Sequence, residues 1–291
     1  MSTSTPTRRT PKESTPEYVL GTDQSETDRL GLQHRLWSAA AHNLWERASI
    51  APGQHVLDVG CGPGHATMDL AELVGPRGRV VGVDESPLFL KQLHERVQAR
   101  HLANVERYLG DIQSLPEIFP EDHDSFDIAY ARWVLCFVKN PESVIAGVAR
   151  LLKPGGRFAI QDYFNYEAMS IAPRQPAFTR VINAVGKSWR DRGGDPDIVA
   201  RIPALCRAHG LEVKHLTVHD RIARPPAANV GSTIWHWPDS FFKNFVPKLV
   251  EMNYLTREEA KAFEAVWSDA AANPDCFMFL PPVFDLIAVK N

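Results

Sequence analysis

VLDVGCGPGHAT occupies Val56–Thr67. Three glycines fall at alternate positions, Gly60, Gly62 and Gly64, directly behind a short apolar run that carries one acid, Asp58. An apolar run followed by glycines is the pattern of a buried strand turning sharply into a helix. The flanks agree. His55–Val59 reads as a strand and Ala66–Val74 as a helix closed by Gly75-Pro76.

The alternation continues outward. Arg79–Val83 reads as a strand, Pro87–Arg100 as a helix, and Val105–Leu109 and Phe126–Ala131 as strands. Pro141–Leu152 is a helix opened by its proline, and Arg157–Gln161 is a strand after the turn KPGG. Strand–helix repetition with short connections implies an α/β fold, a doubly wound and mostly parallel sheet with helices on both faces. HVLDV and RVVGV are almost wholly apolar, as a sheet covered on both faces requires.

The edges of the chain read differently. Residues 1–16 are rich in Ser, Thr and Pro and are expected to form a flexible tail. Residues 17–50 carry a helix over Glu26–Ala48, expected as a lid. Residues 51–291 form the main domain, with helical insertions expected around 165–194 and 232–272. There, Asp197–His209, Phe241–Asn253 and Thr256–Ala271 read as helices, Thr256 and Glu259 having capping-box spacing. Leu211–His219 and Val283–Lys290 read as the last two strands.

Bulk properties narrow the function classes. The 291 residues carry a net charge of −3, with no general footprint for nucleic acid. No run of about 18 apolar residues offers a membrane span. The start of the chain lacks a secretory signal, so a cytoplasmic location is expected. Cys61, Cys136, Cys206 and Cys276 are far apart and contain no CxxC, so neither a metal site nor a redox pair is expected. The reading for Cys61 is a small side chain that fits the loop. The oligomeric state is left open.

The glycine loop could serve a dinucleotide, a nucleoside triphosphate, a nucleoside sulfonium or only a tight turn. A P-loop needs Lys-Ser/Thr after its last glycine, and Gly64 is followed by His65-Ala66-Thr67. A dinucleotide fingerprint needs a third glycine where His65 stands. Asp58 would repel a pyrophosphate and suit a ligand with an ammonium group.

VLDVGCGPG resembles the first motif of class I S-adenosylmethionine-dependent methyltransferases, D/E-x-G-x-G-x-G. Further segments match in order and spacing: VVGVDES, with Asp84 lying 26 residues after Asp58, then YLGDIQSLP, FDIAYARWVLCFVKNP and RLLKPGGRFAIQDY. The nearest resemblance is to small-molecule methyltransferases of ubiquinone/menaquinone biosynthesis and natural-product tailoring. It implies a Rossmann-like seven-stranded sheet, S-adenosylmethionine as methyl donor, S-adenosylhomocysteine as product and a small-molecule partner.

The resemblance also implies roles for residues. Gly60, Gly62 and Gly64, with Cys61 between them, would let the backbone approach the methionine portion and supply amide donors. Asp58 would help hold the amino end. Asp84, with Glu85 beside it, would take the ribose hydroxyls. Asp111 and Ile112 would hold the adenine, and Ala131 and Arg132 would line the methionine end. An acid at a strand end also caps the next helix, which remains the alternative for Asp84 and Asp111. Tyr18, Arg29 and Gln33 would close over the cofactor, Arg29 and Gln33 sharing a helix face.

For the acceptor, His236 within STIWHWPDSFF is the leading candidate base, followed by His219, Asp162, Tyr163 and Tyr166. Trp133, Trp189, Trp235, Trp237, Phe241 and Phe242 would wall an apolar acceptor pocket, with Asp162 and Tyr166 at its edge. After the fourth strand, AYARW lacks the signature of amino-group methyltransferases that act on nucleic acid or glutamine. The scattered cysteines show no arrangement for arsenic. The expected activity is methyl transfer to a small apolar or aromatic metabolite, oxygen before carbon or nitrogen. The rivals are other chemistry on the same fold and a non-catalytic cofactor-binding scaffold.

Overall fold

The computed structural model describes residues 20–228 and 234–291. The tail at 1–16 and Tyr18 lie outside the described residues. The strands are β1 His55–Val59, β2 Arg79–Asp84, β3 Val105–Leu109, β4 Phe126–Arg132, β5 Leu152–Tyr163, β6 Ser170–Ala172, β7 Leu211–His219, β8 Ile222–Ala223, β9 Phe277–Phe279 and β10 Val283–Lys290. The α-helices are α1 Gln24–Arg47, α2 His65–Val74, α3 Pro87–Ala99, α4 Leu115–Ile118, α5 Pro141–Leu151, α6 Pro176–Arg190, α7 Ile202–Ala208, α8 His236–Glu251 and α9 Arg257–Ala272.

Seven strands form one sheet in the order β3-β2-β1-β4-β5-β10-β7. Strands β1 to β5 run parallel, and β10 is antiparallel to both neighbours. The chain order reverses between β1 and β4. Crevices that bind ligands in such sheets open at the carboxyl ends of the strands beside this point. Val56, Leu57, Val80, Val81 and Ile128 are buried at the sheet's centre, in the strands that frame the crevice.

Local signals place the helix ends. The Asp23 side chain accepts the N–H of Glu26 at 3.0 Å and starts α1. Ser86 accepts the N–H of Phe89 and Pro87 opens α3. The expected capping box at Thr256 and Glu259 starts α9.

Other elements depart from expectation. The segment expected as a helix from Asp197 breaks into a short 3₁₀ turn and then α7, because Pro203 suits only a first helical turn. Helix α8 starts at His236, five residues before the expected Phe241, with Pro238 accommodated in its first turn. Strand β5 starts before the KPGG turn, where Phe126 pairs with Leu152 and Ile128 with Arg157. The stretch read as wholly helical after Asn165 contains β6, which joins β8 and β9 in a second, antiparallel sheet.

The helical parts pack over the carboxyl edge. Helix α1 buries Trp37 completely, with its ring edge-on to Trp237 of α8 at 5.0 Å and to Trp133 at 5.5 Å. Behind this layer, Phe178, Trp235, Phe242, Phe263 and Trp267 form a buried aromatic cluster across α6, α8 and α9.

Candidate active site

A cavity of about 1550 Å³ opens where β1, β2, β3 and β4 end, roofed by α1 and the first turns of α8. Asp58, Gly60, Cys61, Gly62, Asp84, Glu85, Asp111, Ile112, Arg132, Arg29 and Gln33 all line it, as do Trp133, Tyr166, Trp189, Trp237 and Phe241.

The three glycines divide their work. All have positive φ, at +69° for Gly60, +54° for Gly62 and +85° for Gly64. A Cβ on Gly60 would meet Val134 at 2.6 Å and one on Gly64 would meet Leu93 at 2.3 Å, whereas one on Gly62 would meet nothing within 4 Å. Gly62 is therefore where the loop leaves room for a ligand, and Gly60 and Gly64 are packing positions.

The expected supply of loop amides needs correction. Gly60 and Cys61 donate to the Val83 carbonyl, Gly62 donates to Asp84, Gly64 donates to Cys61, and Pro63 has no N–H. The loop spends its donors on its own shape. The first turn of α2 has no side-chain cap among the described residues, and its His65 and Ala66 line the cavity, so its N–H groups lie beside it. The Cys61 side chain turns away, toward Gly82, and its burial raises the thiol pKa well above the ordinary value.

Asp84 sits at the end of β2. Its Oδ2 accepts from Gly62 at 2.8 Å and its Oδ1 from Ser86 at 2.9 Å. Two backbone amides thus fix the carboxylate plane, and each oxygen keeps lone-pair capacity on the cavity side. Burial raises its pKa. Glu85 is exposed at the rim, and its pKa is raised by desolvation and by Asp111 and Asp84. Asp111 both lines the cavity and caps the following turn, its Oδ1 accepting the Gln113 N–H at 2.9 Å. The capping and ligand-facing readings are compatible.

At the β1–β4 end the Asp58 carboxylate is buried and accepts from Thr67 Oγ1 at 2.6 Å. Burial pushes its pKa up to about 6. Arg132 contacts His34 Nδ1 at 2.9 Å and lies 5.2 Å from the Trp133 ring centre. Its Nη1 is buried without a hydrogen-bond partner among the described residues. His34 in turn contacts Asp69 at 3.0 Å and stacks on His65 at 5.5 Å. Burial, with Arg96 and His34 nearby, lowers the His65 pKa to about 3, so that ring is neutral at pH 7.

Arg29 and Gln33 share a face as expected, but Arg29 is not waiting for a ligand. Its guanidinium is held by both Glu26 oxygens at 2.7 and 2.6 Å and by Gln33 Oε1 at 2.9 Å. The same Gln33 oxygen accepts from Trp237 Nε1 at 2.7 Å, tying α1 to α8. Glu26 was missed, although its position three residues before Arg29 is a pairing signal.

Beyond Arg132 the wall is aromatic. Trp133 stacks on Tyr163 at 6.2 Å and on Trp237 at 5.9 Å, and Tyr163 and Tyr166 lead on to Trp189. Trp133 has φ +51°, an outlier for a bulky residue with a cost on the order of 1–3 kcal/mol. Its N–H bond to the Gln161 carbonyl at 2.8 Å helps to hold it there.

Several expected site residues lie elsewhere. His236 is exposed and off the cavity, because the helix it starts directs Trp237 inward instead. His236→Ala is expected to leave turnover within about twofold, checked by steady-state kinetics. Trp235 is buried against Trp267 at 4.6 Å, and Phe242 belongs to the same cluster. Asp162 is buried behind the wall, accepting the N–H groups of Tyr163 at 2.9 Å and Cys136 at 3.2 Å. Burial pushes its pKa up to about 6, and its role is to hold the loop after β4. His219 pairs with Asp285 at 2.6 Å, away from the cavity. Ala131 is buried within β4, and Gly64 is covered by Leu93. Tyr130, His65, Lys139 and Arg192 line the cavity and were missed. No group of His, Cys, Asp and Glu suited to a metal occurs among the described residues, and none of their helices is long and apolar enough to cross a membrane.

Residues 50–186 match the family described as a methyltransferase domain. The ubiquinone/menaquinone biosynthesis C-methyltransferase of Ectopseudomonas mendocina is 31% identical over 190 residues, covering 63% of this chain and 70% of that protein. The 2-phytyl-1,4-naphtoquinone methyltransferase of Synechococcus elongatus is 40% identical over 133 residues, 43% of this chain and 54% of that protein. Among solved structures, the YcgJ protein of Bacillus subtilis shares the fold with a TM-score of 0.56 at 19% identity, covering 86% of this chain and 99% of that one. With the motif order, the crevice and these relatives in agreement, the chain belongs to the class I S-adenosylmethionine-dependent methyltransferases.

Proposed function

We propose that this methyltransferase acts on a small aromatic metabolite and methylates it on oxygen. One observation carries the reading. A single cavity has carboxylates at one end and stacked indole and phenol rings at the other, meeting at Arg132 and Trp133. The residues fit S-adenosylmethionine. Asp84 would offer two oxygens to the ribose, Asp111 and Ile112 would flank the adenine, Gly62 leaves open space, and Arg132 Nη1 lacks a partner among the described residues. Helices α1 and α8, joined through Gln33 and Trp237, act as the lid.

The donor supplies a methyl group on a positively charged sulfur. The S–CH₃ bond breaks as the acceptor–CH₃ bond forms, leaving neutral S-adenosylhomocysteine, and the acceptor's proton passes to solvent. The chain contributes alignment and water exclusion, which can supply much of the rate. His65 is the single histidine among the lining residues, and its suppressed basicity makes it a poor proton acceptor. A site without a strong base suits a phenolic oxygen, which ionises more readily than a ring carbon. Carbon is the second reading, favoured because the 31% identical relative is a C-methyltransferase. Incubating metabolite pools with ¹³C-methyl-labelled donor tests both, because the methyl carbon's chemical shift distinguishes C–O–CH₃ from C–CH₃. A labelled product with no aromatic ring would overturn the proposal.

Asp58 gives the site a pH signature. Burial raises its pKa from 3.8 to about 6, so folding favours the neutral carboxyl relative to the unfolded chain. That contribution to stability is complete below pH 3.8 and is lost as pH rises through about 6. An ammonium group on the ligand favours the ionised form. S-adenosylhomocysteine is therefore expected to bind more tightly as pH rises from 5 to 7, measured by calorimetry, and Asp58→Asn is expected to flatten the profile.

A further inference from the structure

Arg192 lines the aromatic half of the cavity just beyond α6. Its backbone N–H bonds the Trp189 carbonyl at 3.1 Å, which sets it at the end of the aromatic wall. Among the described residues its Nη2 reaches only the Met252 sulfur, a weak acceptor, and its Nη1 is buried with no hydrogen-bond partner. The isolation is specific. Asp191 pairs with Lys187, Asp195 with Arg201 and Asp197 with Arg190, so the neighbouring acids are engaged elsewhere. Arg192 makes no ion pair among the described residues. Trp189 also lines the cavity, and its indole N–H is buried without an acceptor among the described residues.

A buried guanidinium donor without an acceptor carries a desolvation cost that an incoming anion removes. The lining acids lie in β1 (Asp58), at or just after the end of β2 (Asp84, Glu85) and just after β3 (Asp111), so none joins the wall formed by Tyr163, Tyr166 and Trp189. A cationic acceptor would meet Arg192 without compensation. A planar carboxylate matches the guanidinium fork.

We propose that Arg192 sets acceptor specificity by binding the carboxylate of an aromatic acid whose ring lies along the Trp133–Tyr163–Trp189 wall. This deepens the proposed function and rests on it. Arg192 acts at the far end of the acceptor, so its contribution is to binding and alignment.

The test uses the full chain saturated with S-adenosylhomocysteine. The probes are 4-hydroxybenzoate, caffeate and 1,4-dihydroxy-2-naphthoate, each paired with its primary amide, with binding read by tryptophan fluorescence and calorimetry. At least one acid is expected to bind tenfold or more tightly than its amide. Arg192→Met is expected to abolish that preference while leaving S-adenosylhomocysteine affinity within twofold, and Arg192→Lys is expected to restore part of it. Acids that bind no better than their amides, acids that all fail to bind the loaded protein, or a preference that survives in Arg192→Met would each overturn the proposal. Failure of the wild-type chain to take up S-adenosylhomocysteine would instead overturn the underlying reading, and the proposal with it.

Discussion

Asp84→Ala is expected to weaken S-adenosylhomocysteine binding about 100-fold. The basis is two hydrogen bonds to a charged acceptor, worth about 1.5 kcal/mol or more each, with about 1.4 kcal/mol per tenfold in affinity. The substitution has a second effect. Gly62 and Ser86 donate to the two oxygens of this carboxylate, so alanine also releases the turn that leaves space for the ligand. Asp84→Asn keeps one acceptor oxygen and should lose about tenfold. Calorimetry on both variants checks the pair, with thermal denaturation confirming that they fold. Unchanged affinity in Asp84→Ala would remove the ribose role.

Gly64→Ala is expected to destabilise the protein by about 3 kcal/mol. A Cβ there would stand 2.3 Å from Leu93 Cδ1 and 3.0 Å from its Cβ, at a backbone φ of +85°. The left-handed conformation costs an L-residue about 1–2 kcal/mol, and overpacking a filled core adds typically 1–3 kcal/mol. Gly62→Ala provides the contrast. It carries the backbone cost without the clash, because nothing lies within 4 Å of its Cβ position. It should fold with a loss of about 1–2 kcal/mol while obstructing the cofactor. Urea denaturation together with S-adenosylhomocysteine titration separates the effects. Equal stability losses would refute the division of labour within the loop.

The contrast between two glycines two residues apart shows where local sequence information ends. Their spacing announces a tight turn after a strand, and the alternate positions identify the loop. Which glycine faces open space depends on Val134 and Leu93, residues from distant parts of the chain. The tryptophans repeat the lesson. Trp133, Trp235 and Trp237 sit in similarly aromatic contexts, yet Trp235 lies in the α6–α8–α9 cluster while the other two face the cavity.

By itself, the sequence determined the alternation of strands and helices, the bounds of β1, β3, β7 and β10, the capping of α9 and the motif order of the family. These depend on neighbouring residues: apolar runs, glycine and proline stops, and caps that satisfy nearby N–H groups. Tertiary structure alone decided that the loop amides are consumed internally, that Glu26 neutralises Arg29, that His236 lies outside the cavity and that Arg192 lines it with no ion pair among the described residues. It also decided the pairing of β6, β8 and β9, strands of two or three residues that show no measurable periodicity. Burial and partner choice depend on which segments meet in space, and contacts across a hundred residues leave no local pattern in the chain.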